Sequence, residues 1–397
     1  GRATAGGDVT LRVVVAPSSF KESLSAEAAA LAIEVGVKRA APDASVVRIP
    51  IADGGEGFAR TLTRSADGEL REASVRGPLR RRRRAHYGML GDHEAVVEAA
   101  AAIGLRLVPR HARNPLRVSS EGVGELILAA LDAGAKKITL GCGDTANNDG
   151  GFGLARALGV RFLDSRGRAL EPRVAALTEL SSIDLSGVDP RLREIELEVV
   201  CNPMSLLTGP YGTSRIFSPY KGATPPVVEI LDAALTRLAT VVEAQLGVSV
   251  ATMPGAGSGG GMAGLLHALF GARLTPRFEL ILGRLPLDAA LAEADVAFTG
   301  EGAIDETTVM GKVPYEVARR AAARGVPVIA LVGQVGPGAE RSHAHGVTAI
   351  LPLGRDERPI EEALRSARAD LARTAEHATR LLLASRRVER QREAASR

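Results

Sequence analysis

The sequence predicts an α/β fold, in which helices cover both faces of a parallel sheet. Short β-branched runs at residues 11–15 and 46–51 flank a helix-forming stretch at 26–39. Ser25 stands directly before that stretch, where a side-chain oxygen caps a helix. A strand, a helix and a strand within about 40 residues form a βαβ unit, which places the two strands parallel in one sheet.

The same alternation returns towards the other end of the chain. The sequence predicts a helix that opens at Pro314 and a long final helix that begins near Pro359 and frays into an arginine-rich tail. Three further strands are predicted from short apolar runs, at residues 295–299, 326–332 and 347–353. Both ends of the chain are therefore expected to contribute to one domain.

The middle of the chain follows a different pattern, which begins with a hairpin. The predicted elements there are the hairpin of residues 85–90 and 95–99, a helix at 119–131, strands at 137–141 and 194–200, and a helix at 225–245.

The length of 397 residues predicts two domains, because single cores seldom grow beyond about 250–300 residues. We place the cuts near Gly77 and Leu274. Residues 1–76 and 275–397 then form one discontinuous α/β domain, and residues 77–274 form a second α/β domain inserted into it. The active site is expected in the cleft between them.

The charge of the chain comes mostly from arginine, since only six of the 50 basic residues are lysine and the net charge is +4. No tryptophan is present and aromatic residues make up 3%, so a surface that stacks nucleic-acid bases is not expected. One dense basic cluster, Arg80 to Arg84, fits a solvated turn between two strands, with an anion-binding patch as the alternative. Because lysine is so scarce, a lysine that stands beside glycines and acids is a candidate functional residue.

Other features of the composition point to a cytoplasmic protein. No apolar run reaches the roughly 18–20 residues of a membrane helix, and residues 1–11 do not resemble a secretory signal. Two cysteines, Cys142 and Cys201, cannot build a disulfide framework, which favours a reducing compartment. The seven histidines show no zinc-binding spacing. Neither a membrane nor a nucleic acid is expected as a partner, and the sequence does not decide the oligomeric state.

Two polar loops follow the first two predicted strands, where open α/β sheets place ligands. Ser18, Ser19 and Lys21 come after the first, and suit a phosphate or carboxylate at a helix N-terminus. Asp53 and Glu56 stand among glycines after the second, where the backbone can pass close to a metal-bound phosphate. A helix start with spare serines and a plain turn are the structural alternatives.

Two further loops carry more chemistry. Residues 141–151 hold Asp144, Asn148 and Asp149 between glycines, which is costly for a loop unless something polar fills it. Residues 299–314 hold Glu301 and Asp305, four residues apart, then two threonines and Lys312 before a predicted helix. Carboxylates, hydroxyls and a lysine are the groups that phosphoryl transfer uses, because it needs positioned phosphates and neutralising cations.

A run of five glycines at residues 255–261 contains a match to G-x-G-x-x-G, and Glu279 follows 19 residues after the match. A dinucleotide site is formally possible, but such a run matches this pattern easily and Pro276 interrupts the strand that the acid requires. A loop that faces nucleotide phosphates, or a hinge, is the preferred interpretation. The nucleotide contacts predicted on it are Gly255, Gly257, Ser258, Gly259 and Gly260.

Taken together, these loops resemble the type I glycerate 2-kinases. The resemblance rests on five segments in order, which are residues 16–25, 52–57, 148–151, 221–225 and 299–312. It implies phosphorylation of D-glycerate at its 2-hydroxyl, with ATP and Mg²⁺ as cofactors. It also implies a discontinuous flavodoxin-like, Rossmann-like domain with a second domain inserted.

The sequence departs from the family pattern at several of these positions. Many members carry Asp at the position of Ser18, Gly-Ser in place of Asp144-Thr145, and Arg at the position of Ala303. Losing a guanidinium removes a bidentate partner for a carboxylate. A related hydroxy acid or polyol is therefore an alternative acceptor, and kinase chemistry depends less on these positions than acceptor identity does.

The site residues follow as hypotheses. Lys21 and Lys312 are expected to neutralise phosphate oxygens or to hold the acceptor's carboxylate. Asp149 is the candidate general base, with Asp144 as its rival. The expected metal ligands are Asp53, Glu301 and Asp305, and the expected acceptor contacts are Ser18, Ser19, Ser119, Ser120, Asp144 and Asn148. A nucleotide-binding homologue without activity and an NAD-dependent dehydrogenase are the competing interpretations.

Overall fold

The computed structural model describes residues 10–20, 23–52, 54–354 and 359–395. Two compact units make up the chain, Gly1–Ala52 with Leu285–Arg397 as unit 1 and Asp53–Arg284 as unit 2. Strands and helices alternate in both, so the predicted α/β class is confirmed.

The strands are β1 (Arg12–Val15), β2 (Ser45–Arg48), β3 (Glu69–Arg76), β4 (Arg82–Leu90), β5 (Glu94–Glu98), β6 (Lys137–Gly141), β7 (Arg161–Leu163), β8 (Ser182–Asp184), β9 (Glu196–Cys201), β10 (Arg273–Pro276), β11 (Val296–Ile304), β12 (Val328–Val335) and β13 (Val347–Pro352). The helices are α1 (Ala26–Ala40), α2 (Phe58–Ser65), α3 (Ala99–Ile103), α4 (Glu121–Asp132), α5 (Phe152–Ala157), α6 (Thr213–Phe217), α7 (Pro225–Leu246), α8 (Met262–Phe270), α9 (Arg277–Arg284), α10 (Leu287–Ala292), α11 (Val313–Ala322) and α12 (Ile360–Ala395).

Unit 1 is built on a five-stranded parallel sheet in the order β13-β12-β11-β1-β2. Numbered within the unit and read from the other edge, this order is 2-1-3-4-5, which is that of the flavodoxin-like fold. The order reverses at β1, where Val13 pairs with Val46 on one side and with Val296 on the other. Ligands of such sheets bind beyond the carboxyl ends of the strands at this reversal.

Helices α1 and α12 pack together in unit 1. Ser25 caps α1 as predicted, since its Oγ accepts from the Ala28 N–H at 3.2 Å. The two helices approach closely at Gly36, where a Cβ atom would lie 2.0 Å from the carbonyl oxygen of Ala372. Only glycine allows this approach.

Unit 2 is built on a six-stranded mixed sheet in the order β10-β9-β6-β5-β4-β3. Strands β3, β4 and β5 are antiparallel, whereas β5, β6, β9 and β10 are parallel. The carboxyl ends of the parallel strands therefore share one edge, and the segments that follow β5, β6 and β9 begin there. A separate pair, β7 and β8, is antiparallel.

The boundaries of the units lie after Ala52 and Arg284, rather than near Gly77 and Leu274 as predicted. Strand β3 pairs with β4 over its whole length, from Glu69 to Arg76, so it belongs to the sheet of unit 2. At the other boundary, Arg284 of α9 forms an ion pair with Glu94 of β5 at 2.6 Å.

Both cysteines are buried and free, in agreement with the prediction of no disulfide framework. Burial raises the pKa of the Cys142 thiol, and it raises the pKa of Cys201 to about 11. Among the described residues, no helix is both long and apolar enough to span a bilayer.

Candidate functional site

Unit 1 brings polar residues together where β1 ends, beside the middle of β11. The backbone N–H of Ser18 donates to the carbonyl oxygen of Gly300 at 2.8 Å, and the Thr299 hydroxyl donates to the carbonyl oxygen of Ala16 at 2.9 Å. The Ser18-Ser19 segment therefore lies just beyond the carboxyl end of β1, beside the middle of β11 and at the reversal of strand order. Ser18 is buried and Ser19 is half-buried.

Two predicted acids and the predicted lysine form one connected group at the end of β11. Thr308 Oγ1 donates to Glu301 Oε1 at 3.3 Å and accepts from the Asp305 N–H at 3.1 Å. Lys312 Nζ donates to Asp305 Oδ1 at 3.1 Å. Burial acts to raise the pKa of Asp305, but hydrogen bonds from Thr307 and Lys312 outweigh it, so the pKa lies below its ordinary value. The group thus presents an ionised carboxylate and an ammonium.

This donor set fits Mg²⁺. Within the described part of the chain, no three His, Cys, Asp or Glu side chains stand close enough to hold a metal ion by themselves. Mg²⁺ commonly takes only one or two carboxylates, keeps several waters and binds substrate phosphates. Glu301 and Asp305, which are joined through Thr308, meet that requirement.

In unit 2, the carboxylate of Asp149 is saturated with hydrogen bonds. Its oxygens accept from Ser120 N and Oγ, Asn147 Nδ2, Gly151 N and Gly153 N, at 2.8–3.2 Å. The residue is 2% exposed. A carboxylate has about four lone-pair sites, so no acceptor site remains open for a substrate proton. This geometry favours Asp149 as the residue that fixes the loop, and it leaves Asp144 as the better candidate for the base.

Two asparagines beside Asp149 have unsatisfied amide oxygens. Asn147 Nδ2 donates to Gly259 O at 3.0 Å, and Asn148 Nδ2 donates to Ser214 Oγ at 2.8 Å. Both Oδ1 atoms are buried and lack a hydrogen-bond partner among the described residues. Leaving such an atom unpaired costs about 1–3 kcal/mol, so a ligand or water donor is expected here. Asn148 was predicted as an acceptor contact.

Lys221 joins this group, although the sequence did not mark it as a site residue. Its Nζ donates to the carbonyl oxygen of Asn147 at 2.6 Å. Burial lowers the pKa of Lys221 to about 8, against the opposing charges of Asp149 and Asp144. The scarcity of lysine and the adjacent Gly222 are the signals that would have found it.

Asp144 holds a left-handed backbone conformation, with φ at 54°. Its Oδ2 accepts from the Glu56 N–H at 3.2 Å, which ties the loop after β6 to the glycine-rich segment before α2. A Cβ atom at Gly55 would lie 2.2 Å from that same oxygen. The Asp144 carboxylate therefore occupies the space that a side chain at residue 55 would need.

The glycine run at 255–261 packs closely against its neighbours in unit 2. A Cβ atom at Gly257 would lie 2.1 Å from Leu206 O, and one at Gly260 would lie 2.5 Å from Asn147 O. The Ser258 hydroxyl accepts from the Asn202 N–H at 3.0 Å. Close packing accounts for glycine at positions 257 and 260, and the nucleotide contacts predicted on this run stay predictions.

Because Gly257 packs closely against backbone, adding a methyl group at this position is expected to destabilise the protein. Gly257→Ala is expected to lower the free energy of unfolding by about 1–3 kcal/mol, because its Cβ meets backbone that cannot move aside. Gly283→Ala is the matched control, since that position lies in α9 with open space around it and is expected to be neutral or slightly stabilising. Urea unfolding of both variants measures the difference. Equal stabilities would contradict the packing role.

Two predicted residues, Lys21 and Asp53, lie outside the described residues. Their predicted roles stay predictions.

Comparison with known proteins identifies the family. The model of the glycerate kinase family matches residues 13–383. The chain belongs to the glycerate kinase family. Glycerate kinase of Bacillus subtilis (strain 168) is 42% identical over 366 residues, which cover 92% of this chain and 96% of that protein. Glycerate 2-kinase of Escherichia coli (strain K12) is 40% identical over 364 residues, which cover 91% and 96%.

The structural comparison agrees with the glycerate kinase family. A crystal structure described as glycerate kinase 2 from Salmonella typhimurium LT2 superposes with a TM-score of 0.76 at 41% identity, and it covers 95% of this chain and 99% of that one. The predicted resemblance is therefore confirmed. As a member of the glycerate kinase family, the chain is a phosphotransferase whose acceptor is an alcohol group.

Proposed function

We propose that this chain transfers the γ-phosphoryl group of ATP to the 2-hydroxyl of D-glycerate, with Mg²⁺ as the metal. The observation that carries the proposal is the extent of the family match, which runs from residue 13 to residue 383 and so includes every loop described above. Relatives at 40–42% identity are named glycerate kinase and glycerate 2-kinase. ATP and Mg²⁺ follow from the chemistry of kinases, which transfer phosphoryl groups from metal-bound nucleotides.

Unit 1 supplies the cationic and metal-binding part of this mechanism. Lys312 neutralises the phosphate oxygens, and Asp305 orients it through their hydrogen bond at 3.1 Å. Lys21 is assigned the same neutralising role. Glu301 and Asp305 would hold Mg²⁺ directly or through water, and Asp53, which lies outside the described residues, stays a predicted ligand. The bound metal supplies charge neutralisation across the phosphates.

Unit 2 supplies the part that binds the acceptor. Asp144 takes the proton of the acceptor hydroxyl, because the oxygens of Asp149 are already occupied. Ser119 and Asn148 contact the acceptor, whereas Ser120 is fully buried and its hydroxyl is already bonded to Asp149 and to the Leu154 N–H. Lys221 holds the loop of residues 147–149 through its bond to Asn147 O.

The proposal is tested by incubating the protein with ATP, Mg²⁺ and a panel of hydroxy acids and polyols. ADP release is coupled to an optical assay, and product mass identifies the phosphorylated acceptor. D-glycerate is expected to give the highest kcat/KM, with phosphate on its 2-hydroxyl. Turnover with another acceptor alone would overturn the glycerate assignment, and no ADP release with any acceptor would overturn the kinase mechanism.

Lys221 predicts how turnover depends on pH. The folded-state pKa of about 8 lies below the ordinary 10.5, so the ammonium destabilises the fold below pH 8 and this penalty disappears as pH rises to 10.5. In the folded protein, the Lys221 ammonium that donates to Asn147 O loses its proton as pH rises through about 8. Turnover is therefore expected to decline as pH rises through about 8, measured from kcat between pH 6 and 10.

Two arginine variants control this prediction. Lys221→Arg keeps the charge at high pH, so its decline is expected to move above pH 10. Lys137→Arg changes a lysine on β6 of the same unit and is expected to leave the profile of the native protein unchanged. A profile in Lys221→Arg that matches the native one would show that another group titrates.

A further inference from the structure

Unit 2 contains a cavity of about 420 Å³ whose wall is rich in arginine. Four arginines line it, which are Arg80, Arg117, Arg156 and Arg173. They come from separate parts of the chain: the turn between β3 and β4, the segment before α4, helix α5, and the loop after β7. We call this space the arginine cavity.

The positive charge of the arginine cavity is only partly neutralised. Glu171 forms an ion pair with Arg173 at 2.8 Å, and the Asp149 carboxylate is occupied by its five hydrogen bonds. Over the residues that the structure describes, Arg80, Arg117 and Arg156 form no ion pair with a carboxylate. With Asp149 and Glu171 set against four arginines, the wall carries a surplus of two positive charges.

Arg156 shows the electrostatic effect of this arrangement. Its guanidinium carbon lies 5.6 Å from the centre of the Phe152 ring, which holds it in place. Burial lowers the pKa of Arg156, and the nearby charges of Arg80 and Arg76 lower it further against the attraction of Glu121. Glu121 is itself paired with Arg76. An anion in the cavity would relieve this repulsion.

The rest of the wall is mostly apolar and suits the organic part of a ligand that also carries negative charge. Leu116, Val118, Phe152 and Val174 supply apolar surface, and Ser119 supplies a hydroxyl. The volume falls within the roughly 300–1,000 Å³ of small-molecule pockets, which is too small for a nucleic-acid duplex. Arginine forks match phosphate with paired hydrogen bonds, and more than one fork suits a group with at least two negative charges.

We propose that the arginine cavity binds a small organic molecule that carries phosphate. Such a molecule has two sources in this protein's chemistry, the nucleotide that donates phosphate and a phosphorylated hydroxy acid of the product class. Both sources rest on the proposed function, whereas the excess of positive charge that would bind phosphate does not depend on it. Of the predicted acceptor contacts, Ser119 lines this cavity.

The test is isothermal titration of the full chain with ATP, ADP, 2-phosphoglycerate and inorganic phosphate. At least one organic phosphate is expected to bind more tightly than inorganic phosphate, and Arg156→Ala and Arg117→Ala are expected to weaken it at least about tenfold. Arg84→Ala is the matched control, because Arg84 belongs to the same arginine-rich stretch but pairs with Glu72 on the neighbouring strand. Arg117 is exposed, so its variant stays folded even if loss of Arg156 disturbs Phe152.

The outcomes distinguish a nucleotide from a phosphorylated acid as the ligand. They also distinguish failure of the arginine cavity from failure of the proposed reaction. A tenfold loss for ATP and ADP assigns the cavity to the nucleotide, and a loss confined to 2-phosphoglycerate assigns it to a phosphorylated acid. The site is overturned if the dissociation constant of every probe is the same in the native protein and in both variants. It is also overturned if no probe binds at concentrations up to about 5 mM. Failure of the acceptor screen with intact binding here would overturn the proposed reaction alone.

Discussion

Replacing Asp149 by alanine is expected to lower the free energy of unfolding by about 3–5 kcal/mol. The substitution leaves three backbone N–H groups, the Ser120 hydroxyl and the Asn147 amide without their common acceptor inside unit 2. The loop of residues 147–151 and the start of α4 then lose the group that joins them. Thermal unfolding is expected to show a midpoint roughly 10 °C lower.

Asp164→Ala is the matched control for this change. Asp164 also accepts two backbone N–H groups, from Arg166 at 2.8 Å and Arg168 at 2.9 Å, but these bonds face solvent. Water replaces them in the variant, so its unfolding midpoint is expected to stay close to that of the native protein. A midpoint for Asp149→Ala equal to that of this control would contradict the role given to the buried carboxylate.

Lys312→Ala is expected to reduce kcat/KM by a factor of about 10²–10³, because it removes an ammonium directed at transferring phosphate. The loss is expected mainly in kcat, since the charge on the phosphoryl group is redistributed in the transition state. Asp305 loses its ion pair in the same variant, so its carboxyl pKa is expected to rise. Steady-state kinetics with ATP and D-glycerate measure the effect.

A variant on the same helix separates catalysis from folding. Arg319 lies on α11, and its exposed ion pair with Glu316 stands at 3.0 Å. Arg319→Ala is expected to keep full turnover and an unchanged unfolding midpoint. Full turnover in Lys312→Ala would remove that lysine from the catalytic group.

The sequence predicted the elements of the fold well where local pattern and packing agree. Helix α1 with its Ser25 cap and the all-parallel sheet of unit 1 follow directly from alternating apolar runs and a capping hydroxyl. Strand β3 escaped prediction because its sequence, ELREASVR, is mostly polar and only Val75 is fully buried. Its place is set by pairing with β4, which no local pattern encodes. Because β3 belongs to unit 2, the first domain boundary lies after Ala52 and not near Gly77.

The sequence predicted which residues of the site lie together better than it predicted what each residue does. Glu301, Asp305 and Lys312 were expected together, and the structure does bring them together. The saturation of Asp149 was not predictable, because its donors are mostly backbone groups whose directions depend on tertiary structure. The glycine run at 255–261 is a second example, because the sequence does not distinguish a glycine needed for close packing from one that binds phosphate. The arginine cavity joins four distant arginines, and spacing along the chain does not reveal such a group.

The contact between Asp144 and the space beside Gly55 has an evolutionary consequence. These two positions are not free to vary independently, because any side chain at residue 55 would collide with the carboxylate at residue 144. A side chain at residue 55 would force the Asp144 carboxylate to turn away, and its bond to the Glu56 N–H would then be lost. Substitutions at residues 55 and 144 are therefore expected to be coupled, since a larger residue at 55 is better tolerated where residue 144 is small.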